Sequence, residues 1–214
     1  KHGVKVTPLH LVSRALVHCF AAVPEANAII RFKRLYRRPS VTLFMQVNMP
    51  GEGSSEDKVK QANLGGMRIE TAEKLSLLEM TKQMAEKAHK VKTRQDKELN
   101  HSFDLLKLIP WALVGFFLNI ISFLNYGLNL NLKFLGVPND SFGSVMITNV
   151  GTFGIDSALA PLVPFSRVPF LVTIGHVNER PWAVAGQVVV RPVMTLGITF
   201  DHRVIDVVHG GKMM

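Results

Sequence analysis

The chain holds a single cysteine, Cys19, in 214 residues, which excludes a disulfide scaffold and fits a reducing compartment. Charge is scarce as well. Only 19% of residues are Asp, Glu, Lys or Arg, against 47% hydrophobic, a balance that excludes disordered and collagen-like classes. Acid is the scarcer sign, 16 residues against 25 basic ones, leaving a formal charge of +9. That excess points to anionic partners (a phosphorylated cofactor, acidic lipid or nucleic acid) without choosing among them. Metal-ligand spacing is missing: His10 and His18 lie eight apart on one helix and His209 lies seven beyond His202, so no metal is expected. Gly65-Gly66 and Gly210-Gly211 lack the spacing of a nucleotide loop. There is no internal repeat, low-complexity tract, initiator methionine, signal peptide or transit sequence. The chain therefore reads as one domain, 1–214, incomplete at both ends and long enough to bury a real core.

What is present divides into helices early and strands late. Thr7 suits an N-cap and Pro8 a first helical position. Leu11, Val12, Ala15, Leu16, Cys19, Phe20 and Val23 then repeat along one face until Pro24 ends the helix. Ile29 to Leu35 and Val41 to Met49 read as strands joined through residues 36–40, and 50–66 as a flexible loop. A second helix is expected from Glu70 or Ser76 to Lys97, with Leu77, Met80, Met84 and Ala88 on its apolar side. The cations Arg31, Lys33, Arg34, Arg37 and Arg38 surround Phe32 and Tyr36. On a strand pair some of these fall on one solvated face, which is preferred over nucleic-acid binding.

Leu108 to Leu124 contains no charged residue but is interrupted by Pro110, Gly115, Asn119 and Ser122. It is short for a membrane span of about 20 residues. The expectation is an apolar helical insertion over 104–138, a hairpin packed on the domain or on a neighbouring subunit. Peripheral membrane contact through 108–124 is the alternative. After Pro138, Ser144 to Asn149, Phe170 to His176, Gln187 to Val193 and Thr195 to Phe200 read as strands. A short break at Ala185-Gly186 supports a hairpin between Trp182–Val184 and Val188–Val190.

Thr199-Phe200-Asp201-His202-Arg203-Val204-Ile205-Asp206 sets a histidine, the commonest proton-transfer group near neutral pH, just after a β-rich run. The string resembles the Asp-His-Arg-x-x-Asp-Gly signature of the acyltransferase subunits of 2-oxoacid dehydrogenase complexes, related to the His-x-x-x-Asp-Gly of chloramphenicol acetyltransferase. Three further blocks in the same order extend the resemblance. Val23-Pro24-Glu25-Ala26-Asn27-Ala28 is similar to a helix end in that family. Ser144 to Gly154 resembles its Thr-Ile-(Ser/Thr)-Asn-x-Gly-x-Phe-Gly strand, and Pro169 to Gly175 resembles the strand that follows.

The resemblance implies a chloramphenicol acetyltransferase-like α/β fold, a mixed β-sheet with flanking helices, forming trimers with sites between subunits. It implies His202 as general base toward a thiol of coenzyme A or dihydrolipoamide, and Thr148 as hydrogen-bond donor to the oxyanion from the adjoining subunit. Arg203 and Asp206 would fix the histidine loop. Implied with these are a lipoyl group on another domain or protein, other dehydrogenase-complex subunits as partners, and a bacterial cytoplasm or mitochondrial matrix as location. Val207 stands where the family has glycine. If that glycine needs positive φ, valine is strained there; if it allows close approach, valine narrows a channel. A non-enzymatic core that organises an assembly, and a membrane-docked acyltransferase for a small alcohol, amine or lipid, remain the alternatives.

Overall fold

A computed structural model describes residues 5–49, 63–93, 110–130, 132 and 140–213. Its first helix, α1 (Pro8–Ala22), starts at the expected cap, where the Thr7 backbone N–H donates to His10 Nδ1 at 2.9 Å. Burial pushes the His10 pKa down, which favours the neutral ring that can accept this bond. The buried stripe is turned from the expected one. Leu11 is exposed, while Ser13 and Val17 are buried beside Val12, Leu16 and Phe20. Ser13 is tolerated inside because its hydroxyl donates to Leu9 O at 2.6 Å.

The run 29–35 is not one strand. It is a hairpin of β1 (Ala28–Arg31) and β2 (Arg34–Arg37), turned at Phe32-Lys33, both with positive φ. Two successive residues in that region give the primed turn that matches strand twist. Arg38, grouped above with the solvated cations, is buried. It pairs with Asp140 at 2.5 Å and donates to Ala28 O and to Arg167 O, tying the hairpin to two distant loops.

The main sheet runs β4-β3-β5-β6-β7, with β3 (Leu43–Met49), β5 (Val145–Asn149) and β6 (Phe170–Val184) parallel. The outer strands β4 (Asn63–Ile69) and β7 (Gln187–Phe200) are antiparallel to their neighbours. β4 corrects the loop expected over 50–66; residues 50–62 of that loop lie outside the described residues. Gly65 and Gly66 read as loop glycines, but they make room in a strand. A Cβ on Gly66 would meet the Phe44 ring at 2.2 Å, and one on Gly65 would meet Val91 at 2.4 Å.

The expected short strands between Phe170 and Phe200 are two long ones, joined at Ala185-Gly186, where both φ angles are positive. A register shift between Ile174 and Val177 bends the pair without ending it. Pro192 is accommodated because β7 is an edge strand.

Helix α2 (Leu77–Lys92) is capped reciprocally by Ser76 and Glu79. It joins α1 over one face of the sheet, where Leu43, Met45, Val145, Ile147, Val172 and Ile174 form the core. Met146, Leu171 and Phe44 begin a smaller cluster on the opposite face. Among the described residues of the apolar insertion lie helix α3 (Trp111–Ser122) and the π turn that follows it, Phe123–Gly127. In the single chain residues 115–120 are all exposed, while Asn125, Tyr126 and Leu132 are buried. The second arm of the expected hairpin falls largely outside the described residues. Among the described residues no helix is long and apolar enough to cross a membrane.

Candidate functional site

His202 lies at the crest of a turn directly after β7 and is exposed. Each end of that turn is pinned. The Asp201 backbone N–H donates to Pro169 O at 2.9 Å, and Ile205 is buried in the main core. Between them Arg203 grips Asp201 through both carboxylate oxygens, Nε to Oδ1 at 2.9 Å and Nη2 to Oδ2 at 2.7 Å. That bond from Arg203 is the main cause holding the Asp201 pKa below its usual range, against a smaller desolvation effect. The His202 ring lies 6.0 Å from Phe200, which in turn lies 6.4 Å from Phe170.

Asp206 begins the next element. Its carboxylate accepts the His209 backbone N–H at 3.0 Å and contacts His209 Nδ1 at 2.7 Å, capping α4 (Val207–Met213). The backbone bond is the first cause of its lowered pKa and the imidazole contact the second. Val207 is the first residue of α4, is exposed and does not have positive φ. The strain considered for a valine at this position is therefore absent. Cys19 hydrogen-bonds Met213 O at 2.9 Å and fastens α4 to α1; burial raises its thiol pKa.

Thr148 is half-buried near the end of β5. Alternation puts Val145 and Ile147 on the helix side and Met146 and Thr148 on the other. The register sets Thr148 beside Thr173 on β6, and Thr173 beside Gly197 on β7. Continuing the β3–β5 register from Met45–Ile147 brings Gln46 alongside Thr148. Asn149, next in the motif, closes a turn by accepting the Gly151 N–H at 3.1 Å.

Residues 150–162 then strap this face of the sheet. Thr173 donates its hydroxyl to Ala158 O, and Thr199 donates to Ala160 O at 2.8 Å. The strap lies so close that a Cβ on Gly175 would sit 2.0 Å from Asp156 O and one on Gly197 2.2 Å from Ala158 O. Among the motif glycines, Gly151 and Gly175 are thus explained by backbone proximity, and Gly154 by its positive φ of 75°.

One chain does not bring Thr148 and His202 together. Phe200 is level with Val145, three residues below Thr148 and two strands away. At about 3.3 Å per residue and 4.8 Å per strand, that separation is about 14 Å before the turn carries His202 further. Phe200 also belongs to the helix side of the sheet, opposite Thr148. Among the described residues, neither the Thr148 hydroxyl nor the His202 ring has a hydrogen-bond partner, whereas Asp201, Arg203, Asp206 and Asn149 are all engaged. A cleft of about 420 Å³ between the end of α1 and residues 37–41 is lined by neither of them.

Residues 138–214, which carry both Thr148 and His202, match the family model for the 2-oxoacid dehydrogenase acyltransferase catalytic domain. Over this C-terminal stretch, little more than a third of its length, the chain is similar to that catalytic domain. Among curated relatives, the dihydrolipoyllysine-residue succinyltransferase component of the Pseudomonas aeruginosa 2-oxoglutarate dehydrogenase complex is 37% identical over 84 residues, covering 38% of this chain and 20% of the relative. The acetyltransferase component of the Bacillus subtilis acetoin cleaving system is 25% identical over 208 residues, 96% of this chain and 39% of the relative. The chain thus spans well under half the length of these relatives.

In fold it is similar to a probable dihydrolipoamide acetyltransferase of Listeria monocytogenes, with a TM-score of 0.65 at 13% identity, covering 99% of this chain and 68% of that one. It is similar also to the cubic core of a pyruvate dehydrogenase multienzyme complex, with a TM-score of 0.66 at 18% identity, covering 99% of this chain and 66% of that one. The overall fold is therefore that of these neighbours, while the family model matches residues 138–214 alone.

Two neighbours of the site escaped the sequence reading. Gln46 joins Thr148 only through the β3–β5 pairing, between strands separated by some hundred residues. His209 meets Asp206 because α4 starts at once, a helix that Gly210-Gly211 disguised as loop.

Proposed function

We propose that this chain is the acyl-transfer unit of a dihydrolipoamide acyltransferase, exchanging an acyl group between coenzyme A and a dihydrolipoyl thiol at a site shared by two copies. The observation that supports this most is the contrast in hydrogen bonding. His202 and Thr148 are left without partners among the described residues, while the side chains around them are engaged in fixing their loops.

The chemistry follows from residue types. The neutral His202 imidazole takes the proton of the attacking thiol, whose ordinary pKa is about 8.5, as its sulfur adds to the thioester carbonyl. The tetrahedral intermediate carries an oxyanion that the Thr148 hydroxyl of the neighbouring copy stabilises. Collapse breaks the original carbon–sulfur bond, and the departing thiolate recovers the proton from the imidazolium. Acyl group, proton and electron pairs all balance, and no enzyme nucleophile is needed. Arg203 and Asp206 act as positioning residues, one clamping Asp201 and the other capping α4 on the far side of the turn.

The fold neighbours lend support. In the Azotobacter vinelandii dihydrolipoamide acetyltransferase, the catalytic mechanism has been probed at a serine, a histidine and an asparagine four residues beyond that histidine. Thr148, His202 and Asp206 follow the same order, with Asp206 four residues past His202. A trimer whose copies meet between the Thr148 face and the His202 turn is the assembly this reading requires, with other dehydrogenase-complex subunits as partners.

The test is thioester exchange between acyl-CoA and dihydrolipoamide by the full-length protein. His202→Ala is expected to lower kcat by about 10²–10⁴-fold with the assembly intact by light scattering. Turnover by His202→Ala at the wild-type rate, or none by wild type with any acyl-CoA, removes the proposal; the second result favours a core that only organises an assembly.

A further inference from the structure

We propose that helix α3 and the β1–β2 hairpin together dock the protein on an anionic lipid surface. Residues 115–120 of α3 are all exposed, and successive helical positions lie 100° apart, so the entire circumference is presented. Of the side chains there only Asn119 is polar; Phe116, Phe117, Leu118 and Ile120 are each more than a third exposed. A protein partner covers one stripe of a helix, whereas a helix apolar all round calls for an apolar medium on every side. At 12 residues α3 is about 18 Å long, too short to cross about 30 Å of hydrocarbon but short enough to sink into a single leaflet.

The hairpin lies against the end of this segment. The Phe32 and Phe123 rings meet edge-on at 6.2 Å, and Arg31 Nη2 donates to Asn129 Oδ1 at 2.7 Å. Phe32, at the turn, is 62% exposed. Lys33, Arg34 and Arg37 are exposed around it, no acidic residue occurs between Asn27 and Arg38, and these three cations have no anionic partner among the described residues. An apolar element bordered by cations of one sign matches acyl chains beneath anionic headgroups. A two-fold contact with a second copy would set two such cationic hairpins against each other. Buried Asn125 and Tyr126 anchor the segment, and burial, aided by Asp140, pushes the Tyr126 pKa up to about 12. This docking does not depend on acyl transfer.

The full-length protein is co-sedimented with vesicles of phosphatidylcholine alone and of phosphatidylcholine mixed with phosphatidylglycerol. Binding is expected on the mixed vesicles, to weaken as NaCl is raised, and to be lost in Phe116→Glu/Phe117→Glu. Lys33→Glu/Arg34→Glu is expected to weaken it at least about tenfold. Circular dichroism and thioester exchange, unchanged in both variants, show that the fold survives. Failure of the wild type to sediment with the mixed vesicles, or binding unchanged in the phenylalanine variant, overturns the proposal. So does a smaller assembly of the phenylalanine variant without lipid, which would assign this face to another copy.

Discussion

Mixing two inactive variants tests whether the site is divided between copies. His202→Ala removes the base and Thr148→Ala the oxyanion donor, for expected losses of about 10²–10⁴-fold and 10²–10³-fold in kcat. Within one chain the two groups lie on opposite sides of the sheet, more than about 14 Å apart. If they act together, each site takes His202 from one copy and Thr148 from another. In randomly mixed assemblies of equal amounts, half of the histidine turns are intact and half of the facing threonines are intact. About a quarter of the sites are then fully wild type, and thioester exchange should return to about 25% of the wild-type rate. The variants are purified separately, mixed, dissociated in mild denaturant and reassembled, with unmixed samples treated alike. Recovery no greater than the sum of the two parents would refute a shared site, as would recovery without subunit exchange.

Gly175→Ala places a Cβ 2.0 Å from Asp156 O, a backbone atom that cannot swing aside. A loss of about 1–3 kcal/mol is expected, or roughly 2–12 °C in Tm by calorimetry. Val207→Gly restores the residue of the family signature but removes a helix former from a position without positive φ, so stability should fall by about 0.5–1 kcal/mol in urea titration with no gain in exchange rate. Asp201 and Asp206 both have lowered pKa values in the folded chain. Their stabilising effect is therefore present above the unfolded carboxylate value of about 3.9 and is lost as pH falls through the lower folded values. Asp201→Asn should flatten the acid limb of a urea-midpoint profile more than Asp206→Asn, because Asp206 is the more exposed of the two.

Most of what positions the chemistry could be read from the residues, because it is local. Thr7-Pro8, Ser76 and Ala185-Gly186 each act within a few residues, and the structure places a helix start or a hairpin at all three. What failed depends on distant partners. β4 was hidden because Gly65 and Gly66 serve the Phe44 ring and Val91, neither of which is near them in sequence. The buried face of α1 was misjudged at Ser13, whose hydroxyl is satisfied by its own helix. Arg38 looked like one more surface cation until residue 140 supplied the carboxylate. At the proposed site, His202 and Thr148 are singled out by their motifs, whereas Gln46 depends on strand order.

The surface that is left uncovered divides by charge as well as by place. The outer half of the β6–β7 hairpin exposes Val177, Trp182, Val188, Val190 and Leu196 among Glu179, Arg180 and Arg191, and Arg180 is paired with Asp156 at 2.9 Å. Both signs are present there, so two copies can meet without net repulsion, and β7 also offers an unpaired sheet edge. At the β1–β2 turn beside α3 the exposed charges, Lys33, Arg34 and Arg37, are all positive. The same argument that assigns the hairpin to contacts between copies therefore assigns α3 to something anionic. The consequence is that high salt should release the protein from anionic vesicles while leaving the assembly, and with it the proposed composite site, intact.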